Sequence, residues 1–175
     1  MLQRAKLAKK KSFTHVDGDG KLRMVDVSAK HPTLRRAHAG CIVRTVAEVD
    51  ALGLSTHGLD PVHSSRIAGI QAAKQTANLI PLCHPLHLND INVEIIPNGQ
   101  RIEISATVTA EHRTGVEMEA LTACAFAALS LISALVDVDP YARIDDLALL
   151  HKSGGKSGDW GRLVPSLNED SPTAI

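Results

Sequence analysis

The composition of this chain of 175 residues indicates a small protein with an aliphatic interior. Hydrophobic residues make up 44% of the chain but aromatic residues only 2%, so its core has to be built from alanine, leucine, isoleucine and valine. A surface that stacks bases needs exposed aromatic rings. A formal net charge of zero gives no general attraction to nucleic acid or to an anionic membrane. We therefore expect neither of these partners.

The cysteines and the apolar runs exclude further classes of protein. Cys41, Cys83 and Cys124 are widely spaced, without CxxC or Cys/His ligand spacing, so neither a zinc site nor a disulfide framework is expected. No run reaches the roughly 18 apolar residues of a membrane span. The basic N-terminus lacks the apolar stretch of a signal peptide. We expect a cytoplasmic protein with no metal site.

One folded segment is expected between two polar ends. Residues 1–12 predict a disordered basic arm, and residues 163–175, rich in proline, serine and acidic residues, predict a disordered tail. Residues 13–162 contain no long linker and have the length of one domain. We expect a single domain there.

Hydrophobic periodicity predicts six regular elements. Alternating or β-branched runs predict strands, and apolar residues three or four apart predict helices. Asn98-Gly99 predicts a hairpin tip, and Pro140 is expected to end the second helix. The expected elements are strand 41–49, helix 65–80, strands 89–97 and 101–111, helix 117–138 and strand 143–152. Their order predicts an α+β fold of the ferredoxin-like β-α-β-β-α-β type, with both helices on one face of an antiparallel sheet. The second helix is apolar almost all round, which predicts a subunit interface.

The glycine-rich segment KSGGKSG, residues 152–158, carries a signal for anion binding. Glycines let backbone N–H groups turn toward one point, and Lys152 and Lys156 add the positive charge that a phosphate or diphosphate needs. The spacing is not that of a P-loop. A flexible turn with solvated lysines explains the same residues. Further candidate anion contacts, or ordinary surface cations, are Lys30, Arg35 and Arg36.

The segment IPLCHP, residues 80–85, holds a Cys-His pair between two prolines, which force an extended or turn backbone. His84 is a candidate acid, base or hydrogen-bonding group near neutral pH, although a lone histidine is more often a satisfied polar contact. Neighbouring side chains on an extended chain point to opposite sides, so His84 is poorly placed to be the base of Cys83. We expect Cys83 to be structural.

The segment HRTGVEMEALTA, residues 112–123, opens the second helix. Thr114 or Gly115 is expected to cap this helix, and Glu117 and Glu119 lie in its first turn, where carboxylates suit the positive end of the helix dipole. Two residues apart on a helix, the glutamates face different directions. We therefore expect one of them to face a binding site.

Together, MVDVSAK, SRIAGIQAAK, LIPLCHPL, TGVEMEALTA and KSGGKSGDW resemble the cyclic pyranopterin monophosphate synthase family of molybdenum cofactor biosynthesis, over about residues 12–160. The resemblance implies a ferredoxin-like fold and a hexamer of three dimers with the active site between subunits. The implied substrate is 3′,8-cyclo-7,8-dihydroguanosine triphosphate, made by a radical S-adenosylmethionine GTP cyclase. The implied product is cyclic pyranopterin monophosphate, formed with release of diphosphate and without a cofactor.

The resemblance also implies roles for the residues singled out above. The implied catalytic residues are Lys152 and Glu117. The implied substrate contacts are Leu82, Cys83, His84, Met118 and Glu119. The remaining candidates for phosphate binding are Lys156, Lys30 and Arg35.

Two segments depart from the family pattern. Gly58 replaces the lysine that usually precedes the SRIAGI helix, and Ser133 and Val136 replace an aspartate and a lysine of the long helix. The aspartate is regarded as catalytic in the family. Two hypotheses follow: a lyase of this family, or a catalytically impaired homologue that binds the pterin precursor or partners an active paralogue.

Overall fold

The computed structural model of the protein describes residues 15–48 and 60–162. The elements in chain order are β1 (Thr33–Arg44), α1 (Pro61–Lys74), α2 (Thr76–Leu79), β2 (Asp90–Asn98), β3 (Arg101–His112), α3 (Glu117–Leu135), β4 (Arg143–Ser153) and β5 (Trp160–Gly161). These five strands form one sheet in the order β2-β3-β1-β4-β5, with every neighbouring pair antiparallel. The expected α+β class is confirmed. The basic arm, the tail and Gly58 lie outside the described residues.

Strand order follows from how the chain returns to the sheet. The helical segment after β1 carries the chain to β2 at the sheet edge, and the hairpin brings β3 back between β2 and β1. Helix α3 then crosses the sheet, so that β4 pairs with the other side of β1. As a result β1 lies at the centre, with a neighbour on each side along most of its length.

Small side chains let the helices approach the sheet closely. One face of β1 presents Ala37, Ala39, Cys41 and Val43, all buried, and α3 packs on this face through a row of buried alanines. Helix α1 packs against α3 at Gly69, where an added Cβ would lie 2.8 Å from the carbonyl oxygen of Ala123. The aliphatic core expected from the composition is thus a tight contact of backbones as well as side chains.

The first strand was predicted in the wrong place. Residues 41–49 were expected to form it, but β1 begins at Thr33 and ends at Arg44. Arg36 and His38 hid the strand, because they alternate with the small buried residues Ala37 and Ala39 and leave no apolar run to detect. Charged residues are tolerated there because alternate side chains of a strand point away from the core.

The helix boundaries also differ from the prediction. Helix α1 begins at Pro61 rather than at residue 65, because the Asp60 carboxylate accepts a hydrogen bond from the Val62 N–H at 2.8 Å and Pro61 occupies the first turn. The helix ends at Lys74, and the short α2 follows. Helix α3 ends at Leu135, three residues earlier than expected.

The β2–β3 hairpin turns one residue later than predicted. Asn98 is still in β2, and the two turn residues are Gly99 and Gln100. Gly99 has φ +59°, as the first position of a type II′ turn requires, and only glycine adopts this without strain. Strands β2, β3 and β4 otherwise agree with the prediction within one or two residues. Strand β5 was not predicted.

Within the described residues, α3 alone has the length and hydropathy of a membrane-crossing helix, and half of its most apolar stretch is buried inside the protein. The core helix of a soluble protein has the same composition, so this is weak evidence for a span.

Candidate functional site

An open cavity of about 680 Å³ lies at one end of the sheet. The strand register explains its position, because the start of β1 lies between the ends of β3 and β4. Thr33 is opposite His112 of β3, and Arg36 is opposite Ser153 of β4. Helix α3 begins soon after β3 ends, so its first turn reaches the same place, and the turn at residues 80–85 adds a further wall.

Ten of the eleven residues with implied or candidate roles line this cavity. They are Lys30, Arg35, Arg36, Leu82, Cys83, His84, Glu117, Glu119, Lys152 and Lys156. The eleventh, Met118, has 37% of its surface exposed and is not part of the lining. Segments more than 100 residues apart in sequence therefore meet here, while the role of each residue stays a prediction.

An ion pair joins two walls of the cavity. The Lys152 Nζ atom donates to Glu117 Oε1 at 2.9 Å, with about 30% of each side chain exposed. The Glu117 carboxylate lies over Gly115, where an added Cβ would meet its Oε2 atom. Glu117 therefore faces the cavity. The expected cap by Thr114 or Gly115 is wrong: the N-cap residue is Val116, which makes no side-chain capping bond.

Glu119 is the buried carboxyl of the cavity, with only 4% of the residue exposed. Burial, and to a smaller degree the neighbouring charge of Glu117, raise the pKa of Glu119 to about 7. A carboxyl with this pKa can donate or accept a proton near neutral pH. The two glutamates of the first turn thus differ, because Glu117 is partly exposed and paired with a lysine, whereas Glu119 is buried.

The IPLCHP segment presents Leu82, Cys83 and His84 to the cavity through a tight turn. The Cys83 N–H donates to the carbonyl of Ile80 at 3.3 Å. Burial and the nearby Glu119 raise the pKa of the Cys83 thiol above its usual value, so it is a weak nucleophile at neutral pH. This agrees with the structural role expected for Cys83.

The glycine-rich segment packs against the start of β1. An added Cβ on Gly154 would clash with the carbonyl oxygen of Leu34, and one on Gly155 would clash with the guanidinium of Arg35. Arg35 also donates through Nε to the His112 carbonyl at 3.4 Å. Both glycines have positive φ, which keeps the segment close to these partners. Arg35 therefore supports the segment as well as lining the cavity.

Sequence reasoning missed several polar residues of the lining. They are His15, Arg113, Ser153 and Ser157. Arg113 gave the clearest signal, since it follows a predicted strand and precedes the helix whose first turn was expected at the site. Nearby, burial and then the charges of Arg113 and other cationic groups lower the pKa of His112, which favours its neutral ring at pH 7.

Two of the positions that depart from the family pattern, Ser133 and Val136, are described, and neither lines this cavity. Ser133 and Val136 are exposed near the end of α3. Ser133 lies sixteen residues beyond Glu117 on α3, which is about 24 Å along the helix axis.

Replacement of Gly154 by alanine should destabilise the protein more than replacement of Gly158. Both residues have left-handed φ, but Gly158 has open space around its Cα and Gly154 faces backbone. We expect Gly158→Ala to cost about 1 kcal/mol of unfolding free energy. We expect Gly154→Ala to cost about 1–3 kcal/mol more because Leu34 must move. Urea denaturation of both variants measures this, and equal losses would contradict the close approach at Gly154.

The raised pKa of Glu119 should make stability depend on pH. Between pH 4.5, the ordinary pKa of a glutamate, and about 7, the unfolded chain releases a proton that the folded protein keeps, so rising pH destabilises the folded protein across this window. Glu119→Gln mimics the neutral carboxyl. Its unfolding free energy relative to wild type should rise by on the order of 3 kcal/mol between pH 4.5 and 8. Exposed Glu111→Gln is the control, and a pH-independent difference for Glu119→Gln would refute the shift.

Comparisons with known proteins agree with this arrangement of motifs. Residues 24–155 match the model of the MoaC family. "Cyclic pyranopterin monophosphate synthase 2" of Mycobacterium bovis is 50% identical over 153 residues, covering 86% of this chain and 91% of the relative. "Cyclic pyranopterin monophosphate synthase" of Nostoc sp. is 48% identical over 159 residues, covering 88% and 94%. The protein of that name from Streptomyces griseus is 46% identical over 166 residues, covering 93% of each chain. With three quarters of its length matched and this identity throughout, the chain belongs to the MoaC family.

Proposed function

We propose that the protein is a lyase of molybdenum cofactor biosynthesis that converts 3′,8-cyclo-7,8-dihydroguanosine triphosphate to cyclic pyranopterin monophosphate and diphosphate. The observation that carries the proposal is the cavity itself, which unites an ion-paired lysine, a glycine-rich segment and a buried carboxyl. Relatives that match this chain over most of their length carry the name of this synthase.

The cationic side of the cavity suits the triphosphate. Lys152, Lys156, Lys30 and Arg35 all line it, and the segment 152–158 adds backbone with three glycines at positive φ. Ammonium, guanidinium and backbone N–H groups are the donors that phosphates bind most strongly. Glu117 limits the charge by pairing with Lys152, and it positions the ammonium group at the wall where the phosphates are expected.

The side of the cavity formed by Glu119 and Leu82 suits the purine-derived ring. Glu119 is a carboxyl that accepts from ring N–H groups when ionised and donates when protonated. His84 and the backbone of the 80–85 turn offer further polar partners. A ring held here would leave its phosphates free to reach the lysines.

Formation of a cyclic monophosphate from a triphosphate sets a definite chemical requirement. A hydroxyl oxygen of the nucleotide forms a bond to the α-phosphorus, the bond from that phosphorus to the diphosphate oxygen breaks, and diphosphate leaves. The hydroxyl proton must be accepted, and the charge on the departing diphosphate must be stabilised. With a pKa of about 7, the Glu119 carboxylate can accept this proton near neutral pH. Lys152 and Lys156 carry the positive charge that stabilises the departing diphosphate.

No observation on the described residues favours the catalytically impaired homologue. Ser133 and Val136 lie outside the lining of the cavity formed by the described residues. The resemblance implies an assembly with the active site between subunits. In such an assembly, Ser133 and Val136 can contribute to the active site of a neighbouring subunit. Turnover therefore decides between the two hypotheses.

Turnover of the cyclised nucleotide tests the proposed function. Purified protein is expected to release diphosphate and cyclic pyranopterin monophosphate, detected by mass spectrometry. Lys152→Ala should lower kcat/KM about 100-fold or more, because it removes a cation from the phosphate wall. Lys74→Ala, an exposed lysine at the end of α1, is the matched control and should retain full turnover.

Absence of product from wild-type protein that binds the nucleotide would contradict the proposal. Product from the double variant Ser133→Asp, Val136→Lys in that case would assign the loss to the two α3 positions. Equal kcat/KM for Lys152→Ala and Lys74→Ala would remove Lys152 from the site.

We also propose a hexamer built of three dimers, in the cytoplasm, supplied with substrate by a radical S-adenosylmethionine GTP cyclase. Helix α3 and its C-cap expose three large apolar side chains, which burial against another chain would remove from water. They are Phe126, Leu129 and Val136. Light scattering is expected to give the mass of six chains, and Leu129→Asp should lower that mass. A monomer for the wild type would refute the assembly.

A further inference from the structure

Residues 15–23 form a small hairpin, called here the N-terminal hairpin. Val16 and Leu22 face each other in an antiparallel bridge. The Asp17 N–H donates to the Lys21 carbonyl at 2.9 Å, and the Asp17 carboxylate accepts from the Lys21 N–H at 2.9 Å. The hairpin therefore keeps its shape through its own hydrogen bonds.

The N-terminal hairpin is tied weakly to the rest of the protein. Within residues 15–48 and 60–162, no hydrogen bond or ion pair joins the segment 15–32 to a helix or to a strand of the sheet. The bonds of this segment are local, such as the one from the Lys30 N–H to the Val27 carbonyl at 3.0 Å. Segments with few contacts to the core open at low free energy. The hairpin can therefore move as a unit while the sheet stays folded.

The same hairpin lies at the opening of the cavity. His15, Val16 and Leu22 are part of the cavity lining, yet 37% of Val16 and 76% of Leu22 are exposed. Side chains that line a cavity and are also exposed lie at its opening. Apolar side chains there gain free energy when a ligand in the cavity removes them from water. A bound ligand would therefore hold the hairpin down.

We propose that the N-terminal hairpin is a flap that closes over the bound nucleotide, with Val16 and Leu22 as its inner surface. The identity of the ligand rests on the proposed function. That reaction gives closure a use, because water competes with the nucleotide hydroxyl for the α-phosphorus and a closed flap excludes water. Closure also slows the release of the ligand.

Hydrogen exchange followed by mass spectrometry tests the closure. The probe is the cyclised nucleotide with a methylene group between its α- and β-phosphorus atoms, which cannot release diphosphate. Amides of residues 15–23 should exchange about 10-fold more slowly or better when the analogue is bound. The β2–β3 hairpin around Gly99 is the control, since it lies at the opposite end of the sheet, where Arg44 is opposite Arg101. Unchanged exchange of residues 15–23 with the analogue bound, or equal slowing of both hairpins, would overturn the flap.

A variant of the inner surface tests the contact. Leu22→Ser should release the analogue about 10-fold faster, as expected for one lost apolar contact, in surface plasmon resonance on immobilised protein. Its association rate should stay within about 2-fold of wild type, because ligand enters while the flap is open. Ile67→Ser is the matched control, an exposed aliphatic position of α1 outside the cavity lining, and should release the analogue as wild type does. Equal release rates for the two variants would contradict the contact.

Limited proteolysis tests the movement without any ligand. Lys21 and Arg23 are exposed cleavage sites for trypsin within the hairpin. Cleavage there should be fast in the free protein and should not follow global unfolding, so urea below the unfolding transition should leave its rate unchanged. Cleavage only together with global unfolding would refute the movement.

A failure of the proposed function gives a different pattern. Wild-type protein that does not bind the analogue would refute that function, and closure over this nucleotide with it. Analogue that binds without protecting residues 15–23 would refute the flap alone.

Discussion

The contact between Lys152 and Glu117 joins the walls of the cavity in which we propose that the reaction takes place. Lys152 is near the end of β4, opposite Ala37 of the central strand, and Glu117 is the first residue of α3. A bond of 2.9 Å between them closes the sheet end against the helix start. Partial burial shields the pair from solvent ions. The same contact orients a cation into the cavity and leaves Glu119 as the only uncompensated carboxyl of that helix turn.

This contact is possible only because the layers pack so closely. Alanines on β1, β3 and α3 bring the helix backbone near the sheet, and Gly69 lets α1 approach α3 at Ala123. Larger side chains would lift α3 and move Glu117 away from β4. The scarcity of aromatic residues is therefore connected to the site. A core of small residues sets the distance at which the cavity walls meet.

How far the sequence predicts this structure depends on the element. Strand alternation located β2, β3 and β4, because a two-residue period is a direct consequence of strand geometry. It missed the start of β1, where alanines replace large apolar residues. The motifs identified nearly all charged residues of the cavity. Lysines within a glycine-rich segment indicate anion binding, and two carboxylates in one helix turn indicate that one of them faces a site. The contact of Arg35 with Gly155 was not predictable, because it arises from tertiary packing.

A crystal structure of the protein with 3′,8-cyclo-7,8-dihydroguanosine triphosphate tests the two-sided cavity most directly. We expect the phosphates against Lys152, Lys156 and the glycine-rich segment, and the ring against Leu82 and Glu119. The Lys152–Glu117 contact should persist or exchange for a phosphate within the same wall. Ligand bound at another surface, or reversed with its ring on the lysines, would contradict the division of the cavity into a phosphate side and a ring side.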